Sequence, residues 1–162
     1  MEKYEELLIS IRKIIRSIDL HSKKLNKEAG LTGPQLLILQ EIQRTQGITA
    51  KGIATSVSLS QGTITSILDR LESKNTLKRV RSKIDRRKIS VYLTEHGAEL
   101  LANAPKPLQE HFIEGFQSLE MWEQNQLLSS IGRVASMMDA TELDAAPFLE
   151  IGVIIPPESK DN

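Results

Sequence analysis

Apolar residues recur at three- and four-residue spacing along most of this chain and switch to strict alternation in one short stretch, and that change of period marks out its elements. Residues 3–28 form a long helix with Leu7, Leu8, Ile11, Ile14, Ile15, Ile18 and Leu25 on one broad face, wide enough to pack on more than one neighbour. Thr32 caps a second helix with Pro34 in its first turn and Leu36, Leu39 and Ile42 inward. Thr49 opens a short third helix that points Ile53 and Val57 to the core, and Ser58-Leu59-Ser60 turns the chain into a fourth. Ser60 is a good N-cap, and Ile64, Ile67, Leu68 and Leu71 behind it make one buried stripe. The period then becomes two. Residues 76–80 and 88–93 read as a β-ribbon, with Ile89, Val91 and Leu93 alternating against Ser90 and Tyr92. The connection, Arg81-Ser82-Lys83-Ile84-Asp85-Arg86-Arg87, is too charged to be buried. Thr94 caps a further helix that bends or restarts at Ala104-Pro105-Lys106-Pro107, because proline cannot donate into a continuing ladder. A last helix over about residues 119–139 carries Leu127, Ile131, Val134 and Met138 on one stripe.

Two helices joined by a tight turn, then a hairpin and another helix, predict a mainly α fold with a small β-hairpin wing: a winged helix-turn-helix. The outward face of the helix opened by Ser60 carries Gln61, Thr63, Thr65, Ser66, Asp69 and Arg70, short or forked groups able to reach base edges and phosphates in a major groove. The formal net charge is zero, but the average hides an asymmetry. Residues 51–88 hold ten cations against three anions, and residues 139–162 hold six anions against Lys160 alone. A net +7 confined to the fourth helix and hairpin is the footprint of phosphate binding, whereas a merely solvated face mixes signs. The candidate DNA contacts are therefore Ser60, Gln61, Thr63, Thr65, Ser66 and Arg70 on the helix, with Arg79, Lys83, Arg86 and Arg87 in the hairpin. Arg87, with Arg86 beside it, is expected in a narrow A·T-rich minor groove. Asp85 is expected to hold the hairpin by pairing with a neighbouring arginine, Arg79 or Arg87.

Other classes fit less well. The chain of 162 residues has 40% apolar and 26% charged residues, an ordinary globular balance. With no cysteine it has no disulfide, thiolate metal site or thiol switch, and three scattered histidines make a structural zinc site a poor reading, so no cofactor is expected. The longest apolar run, residues 36–39, is far short of a membrane span, and acidic residues stand among the first six, unlike a secretory leader; a cytoplasmic protein with no membrane partner is expected. Ser60, His96 and Asp85 match a hydrolytic triad by type only. Ser60 reads better as a cap, Asp85 lies in a charged turn, and there is no nucleophile elbow, phosphate loop or His-x-x-x-His pair, so an enzyme is not expected.

Three motifs in order, Ser60 at the start of the fourth helix, Asp85-Arg86-Arg87 in the hairpin and Leu93-Thr94-Glu95-His96-Gly97 at the next helix, make the chain resemble the MarR family of bacterial winged-helix regulators. Flanking helices extend the resemblance from about residue 3 to residue 139. Asn75 stands where the family usually has glycine, and Ser66 where many members have arginine; asparagine also tolerates the left-handed conformation that ends a helix. The resemblance implies a DNA-binding domain over residues 31–103, and N- and C-terminal dimerisation helices over 1–30 and 104–140 that interlock two protomers. It leaves residues 141–162 as an extended acidic tail, either disordered or docked on a groove through Ile151-Gly152-Val153-Ile154-Ile155. It further implies a homodimer on double-stranded DNA at a pseudo-palindromic operator, most often as a repressor. A small-molecule effector would sit between the dimer helices and the DNA-binding unit. A weaker resemblance, in Lys3-Tyr4-Glu5-Glu6-Leu7, Asp19-Leu20-His21-Ser22, Leu31-Thr32-Gly33-Pro34-Gln35 and Leu127-Leu128-Ser129-Ser130, is to the branch regulating ectoine and other compatible-solute genes, for which ionic strength itself is a candidate signal. The alternative is a winged helix used only for protein interaction, since the fold does not dictate DNA binding; the basic wing favours DNA.

Overall fold

The computed structural model describes residues 2–143, 145 and 149. Helices run over Lys3–Ala29 (α1), Gly33–Arg44 (α2), Ala50–Val57 (α3), Gln61–Ser73 (α4), Glu95–Asn103 (α5), Leu108–Gln117 (α6) and Met121–Met137 (α7). Strands cover Ile48–Thr49 (β1), Leu77–Arg81 (β2) and Ile89–Leu93 (β3). The starts of four helices are set by hydroxyl caps. Thr32 Oγ1 accepts the Gln35 N–H at 3.4 Å while Gln35 Oε1 accepts the Thr32 N–H at 3.1 Å, a reciprocal pair. Thr49, Ser60 and Thr94 accept from the N–H groups of Gly52, Thr63 and Gly97 at 3.1, 3.1 and 3.0 Å. Asn75 ends α4 at φ 55°, the left-handed conformation that its side chain tolerates.

Residues up to Pro105 form one compact unit and Lys106–Leu149 a second. In the first, Leu36, Ile38, Leu39 and Ile42 of α2, Ile53 of α3, Ile64, Leu68 and Leu71 of α4, and Leu77 and Val91 of the sheet are at most 1% exposed and make the core. Ile67, expected in the α4 stripe, is partly buried against it. The sheet is antiparallel in the order β1-β3-β2. Its third strand goes beyond the expected ribbon: Ile48 pairs with Val91 and Thr49 with Ser90. Two residues are too few to display a period, which is why alternation could not reveal it. Opposite β3, Leu77 faces Leu93, Arg79 faces Val91 and Arg81 faces Ile89.

The root of the hairpin is fixed tightly. The Thr94 N–H donates to the Thr76 carbonyl at 3.1 Å, Thr94 Oγ1 to the Asn75 carbonyl at 2.6 Å, and the buried Thr76 hydroxyl to the Leu71 carbonyl at 2.7 Å. A Cβ on Gly97 would lie 1.8 Å from the Thr76 oxygen, so the glycine of the Leu-Thr-x-x-Gly motif is a packing requirement.

The helices assigned to pairing behave differently from the core. Of α1, only Leu25 is buried, while Leu7, Leu8, Ile14 and Ile15 are exposed. Within this chain α1 falls in the same compact unit as the winged helix. Its last turn is drawn in by Leu25 and by Lys74, whose Nζ donates to the Gly30 carbonyl at 3.0 Å. The expected break falls between Asn103 and Leu108. In the second unit Phe112 and Phe116 stack at 5.8 Å, and Gln124 Nε2 ties α7 to α6 by donating to the Phe116 and Leu119 carbonyls at 3.2 and 3.0 Å. Neither α6 nor α7 has a buried residue, and Trp122 is exposed. The acidic tail lies mostly outside the described residues.

Candidate nucleic-acid interface

Helix α4 turns its apolar stripe inward and leaves Gln61, Thr65, Ser66, Asp69 and Arg70 exposed, with Thr63 half-buried beside the cap. Ser60 accepts the Thr63 N–H and shares a 2.8 Å hydroxyl contact with Thr63 Oγ1, so this pair is held as a unit at the helix start. Thr65 Oγ1 donates to the Gln61 carbonyl at 2.9 Å, which commits its hydrogen inside the helix and leaves its lone pairs and methyl outward. Among the described residues, the side chains of Arg70, Lys83, Arg86 and Arg87 make no hydrogen bond or ion pair.

Arg79, expected to contact DNA, is engaged within the chain instead. Alternation along β2 places Leu77, Arg79 and Arg81 on one face of the hairpin, and Arg79 meets α4 there. Its guanidinium hydrogen-bonds the Asp69 carboxylate, and Nε and Nη2 reach Glu72 Oε2 at 2.9 and 2.7 Å. The Arg79 N–H also donates to Glu72 Oε1 at 3.2 Å. The Asp69 hydrogen bond, then the Glu72 one, raises the Arg79 pKa above its ordinary value against the opposing cost of burial. Arg79 therefore neutralises two carboxylates on the recognition helix that would otherwise repel phosphate, and fastens helix to wing. Sequence inspection missed Glu72, because a partner seven residues upstream across a turn carries no periodic signal.

Asp85 also differs from expectation. It pairs with neither arginine side chain: its Oδ1 accepts the Arg87 N–H at 3.1 Å, and its carbonyl accepts the Lys88 N–H at 2.9 Å. Ser82, not singled out from the sequence, completes the turn. Its Oγ accepts the N–H groups of Ile84 and Asp85, each at 3.2 Å, and its own N–H donates to the Lys88 carbonyl at 2.9 Å. A serine at the first position of a charged turn is the signal that could have found it. The turn projects Lys83, Arg86 and Arg87 outward. Among the described residues no cluster of three or more His, Cys, Asp or Glu could hold a metal ion, and no helix is long and apolar enough to cross a membrane.

A capped helix with a free hydrogen-bonding face, carried on a helix-turn-helix and flanked by a basic hairpin, defines a winged-helix DNA-binding regulator. The family model described as transcriptional regulator SarA/Rot matches residues 21–104, and the chain belongs to that family of MarR-type winged-helix transcriptional regulators. The family comprises regulators rather than enzymes. The HTH-type transcriptional regulator MgrA of Staphylococcus aureus is 28% identical over 142 residues, covering 85% of this chain and 93% of its own. Among solved structures, a MepR-like protein complexed with pseudoligands is 26% identical with a TM-score of 0.56, covering 84% of this chain and 94% of that one. The transcriptional regulator BldR of Sulfolobus solfataricus is 28% identical with a TM-score of 0.54, covering 85% and 99%.

Proposed function

We propose that the chain acts as a homodimeric repressor on a pseudo-palindromic operator, with α4 of each protomer in a major groove and each wing in the adjoining minor groove. The observation that carries this is the joint presentation of the α4 outer face and three partnerless wing cations from one compact unit. Gln61, Thr63, Thr65 and Ser66 face base edges, Ser60 and Arg70 anchor phosphates, and Lys83, Arg86 and Arg87 follow the minor groove, while Arg79 and Asp85 shape the two elements. Two-fold pairing puts the half-site centres about 10 base pairs apart. Inserting five base pairs at the operator centre therefore abolishes tight binding in an equilibrium titration; retained affinity would show independent monomers.

The input we propose is ionic strength, and the targets osmotic-stress genes such as those for compatible solutes. If two protomers contact about six to ten phosphates, raising salt from about 50 to 200 mM costs about a thousandfold or more in affinity without any ligand. Operator binding titrated with potassium salts, with and without ectoine, glycine betaine or choline, tests this. A shallow salt slope with a large shift by one solute at constant salt would point to a ligand-controlled regulator instead.

A further inference from the structure

Three large apolar side chains of the winged-helix unit beyond α1 are exposed: Val80 at 45%, Ile89 at 37% and Ile84 at 100%. The first two lie on the strands, but Ile84 stands alone at the tip of the wing between Lys83 and Asp85-Arg86-Arg87. Among the described residues nothing covers it, so it adds nothing to the core. Its position is nonetheless fixed. Ser82 Oγ accepts the N–H groups of Ile84 and of Asp85, and Asp85 in turn holds the N–H groups of Arg87 and Lys88. β-Branching restricts χ1, so this fully exposed side chain has few rotamers to lose on meeting a partner.

We propose that Ile84 is an apolar wedge that enters the minor groove of the operator and partly unstacks a base step, a flexible pyrimidine–purine step being the cheapest to open. The proposal rests on the reading above that the wing meets duplex DNA. Phosphates drawn to Lys83, Arg86 and Arg87 bring the groove onto the tip, and a lysine or serine at position 84 would serve that attraction equally well. What a branched aliphatic group adds is the ability to fill the gap between separated bases, removing its own surface from water and bending the duplex towards the major groove.

The test compares the full chain with Ile84→Ala and Arg87→Ala on operator duplexes carrying 2-aminopurine at the steps under each wing, with affinity followed against salt. Wild type should raise the fluorescence of one such step. Ile84→Ala should lose that signal and about tenfold in affinity, with the salt slope unchanged because no charge is removed. Replacing the pyrimidine–purine step by a stiff A-tract should weaken wild type and leave Ile84→Ala nearly indifferent. Arg87→Ala should lose affinity and salt dependence together. If Ile84→Ala keeps wild-type affinity and fluorescence while Arg87→Ala loses affinity, the wedge is wrong and the wing reading stands. If neither variant differs from wild type, the wing itself does not touch DNA. Self-association of the free protein that Ile84→Ala abolishes would assign the side chain to a protein contact and overturn the proposal.

Discussion

Residues 31–103 and the unit Lys106–Leu149 are both built from short amphipathic segments, yet they treat their apolar residues in opposite ways. In the first, the stripes of α2, α3 and α4 close on one another and on the sheet, and eleven apolar core side chains fall to 1% exposure or less. In the second, Phe112, Leu127, Leu128 and Ile131 are 49–59% exposed, although their spacing is as regular as that of Ile64, Leu68 and Leu71. Periodicity records which way apolar side chains face and is silent on whether the same chain supplies what they face. An apolar surface of this kind, spread over two elements, marks an interaction site, and a second copy is the occupant we propose.

The sharpest contrast comes from truncating the closed core. Leu68→Ala should cost about 2–5 kcal/mol in chemical denaturation, because the fully buried site cannot collapse around the void. Gly97→Ala should approach the lower part of that range by driving a methyl into the Thr76 carbonyl; a variant as stable as wild type would show that the hairpin root can slide. On the open surface, Ile131→Asp should leave the winged-helix unit folded by circular dichroism. It should raise the dimer dissociation constant about tenfold to a hundredfold in sedimentation equilibrium, and a variant that unfolds outright would place Ile131 in a core of its own chain.

Smaller effects probe the first region's edges. Ser60→Ala removes the cap that orders the start of α4 and should cost about 1 kcal/mol, with a loss of operator affinity beyond that of a distant exposed substitution. Weakest of all is the Glu41–Arg44 pair at the end of α2, where the Arg44 hydrogen bond, against the cost of burial, holds the Glu41 carboxyl below its ordinary value. A depressed folded-state pKa stabilises above the unfolded value and is lost as pH falls through the folded one. Melting temperature should therefore drop slightly more over that acidic window in wild type than in Glu41→Gln, and identical profiles would show that the pair contributes nothing.

Helices α2 to α5 with their caps, and the hairpin, could be read from the sequence because each has a local signature: Thr32, Thr49, Ser60 and Thr94 each precede an apolar stripe, and residues 89–93 alternate. The α4 surface was legible for the same reason, since exposure follows directly from the buried stripe. What sequence could not give was partner choice. Arg79 and Asp85 each had more than one group of suitable charge or hydrogen-bonding type within reach. The alternation of β2 and its placement over α4 decided for Asp69 and Glu72, while the turn geometry decided for backbone N–H groups. Strand β1 escaped because its pairing with β3 is non-local and only two residues long.

The hairpin is fastened at its root by Thr76, Thr94 and Gly97 and braced along its length by Arg79, which makes it a cantilever whose free end is residues 82–87. Even there the backbone is cross-tied through Ser82 and Asp85. Meeting a ligand thus freezes rotamers of a few long side chains rather than a loop. Each immobilised side chain costs about 0.5–1.5 kcal/mol, and no chain-ordering entropy is added. In calorimetric terms, the heat-capacity change of association should match the apolar area covered at the contact, without the surplus that marks folding coupled to binding.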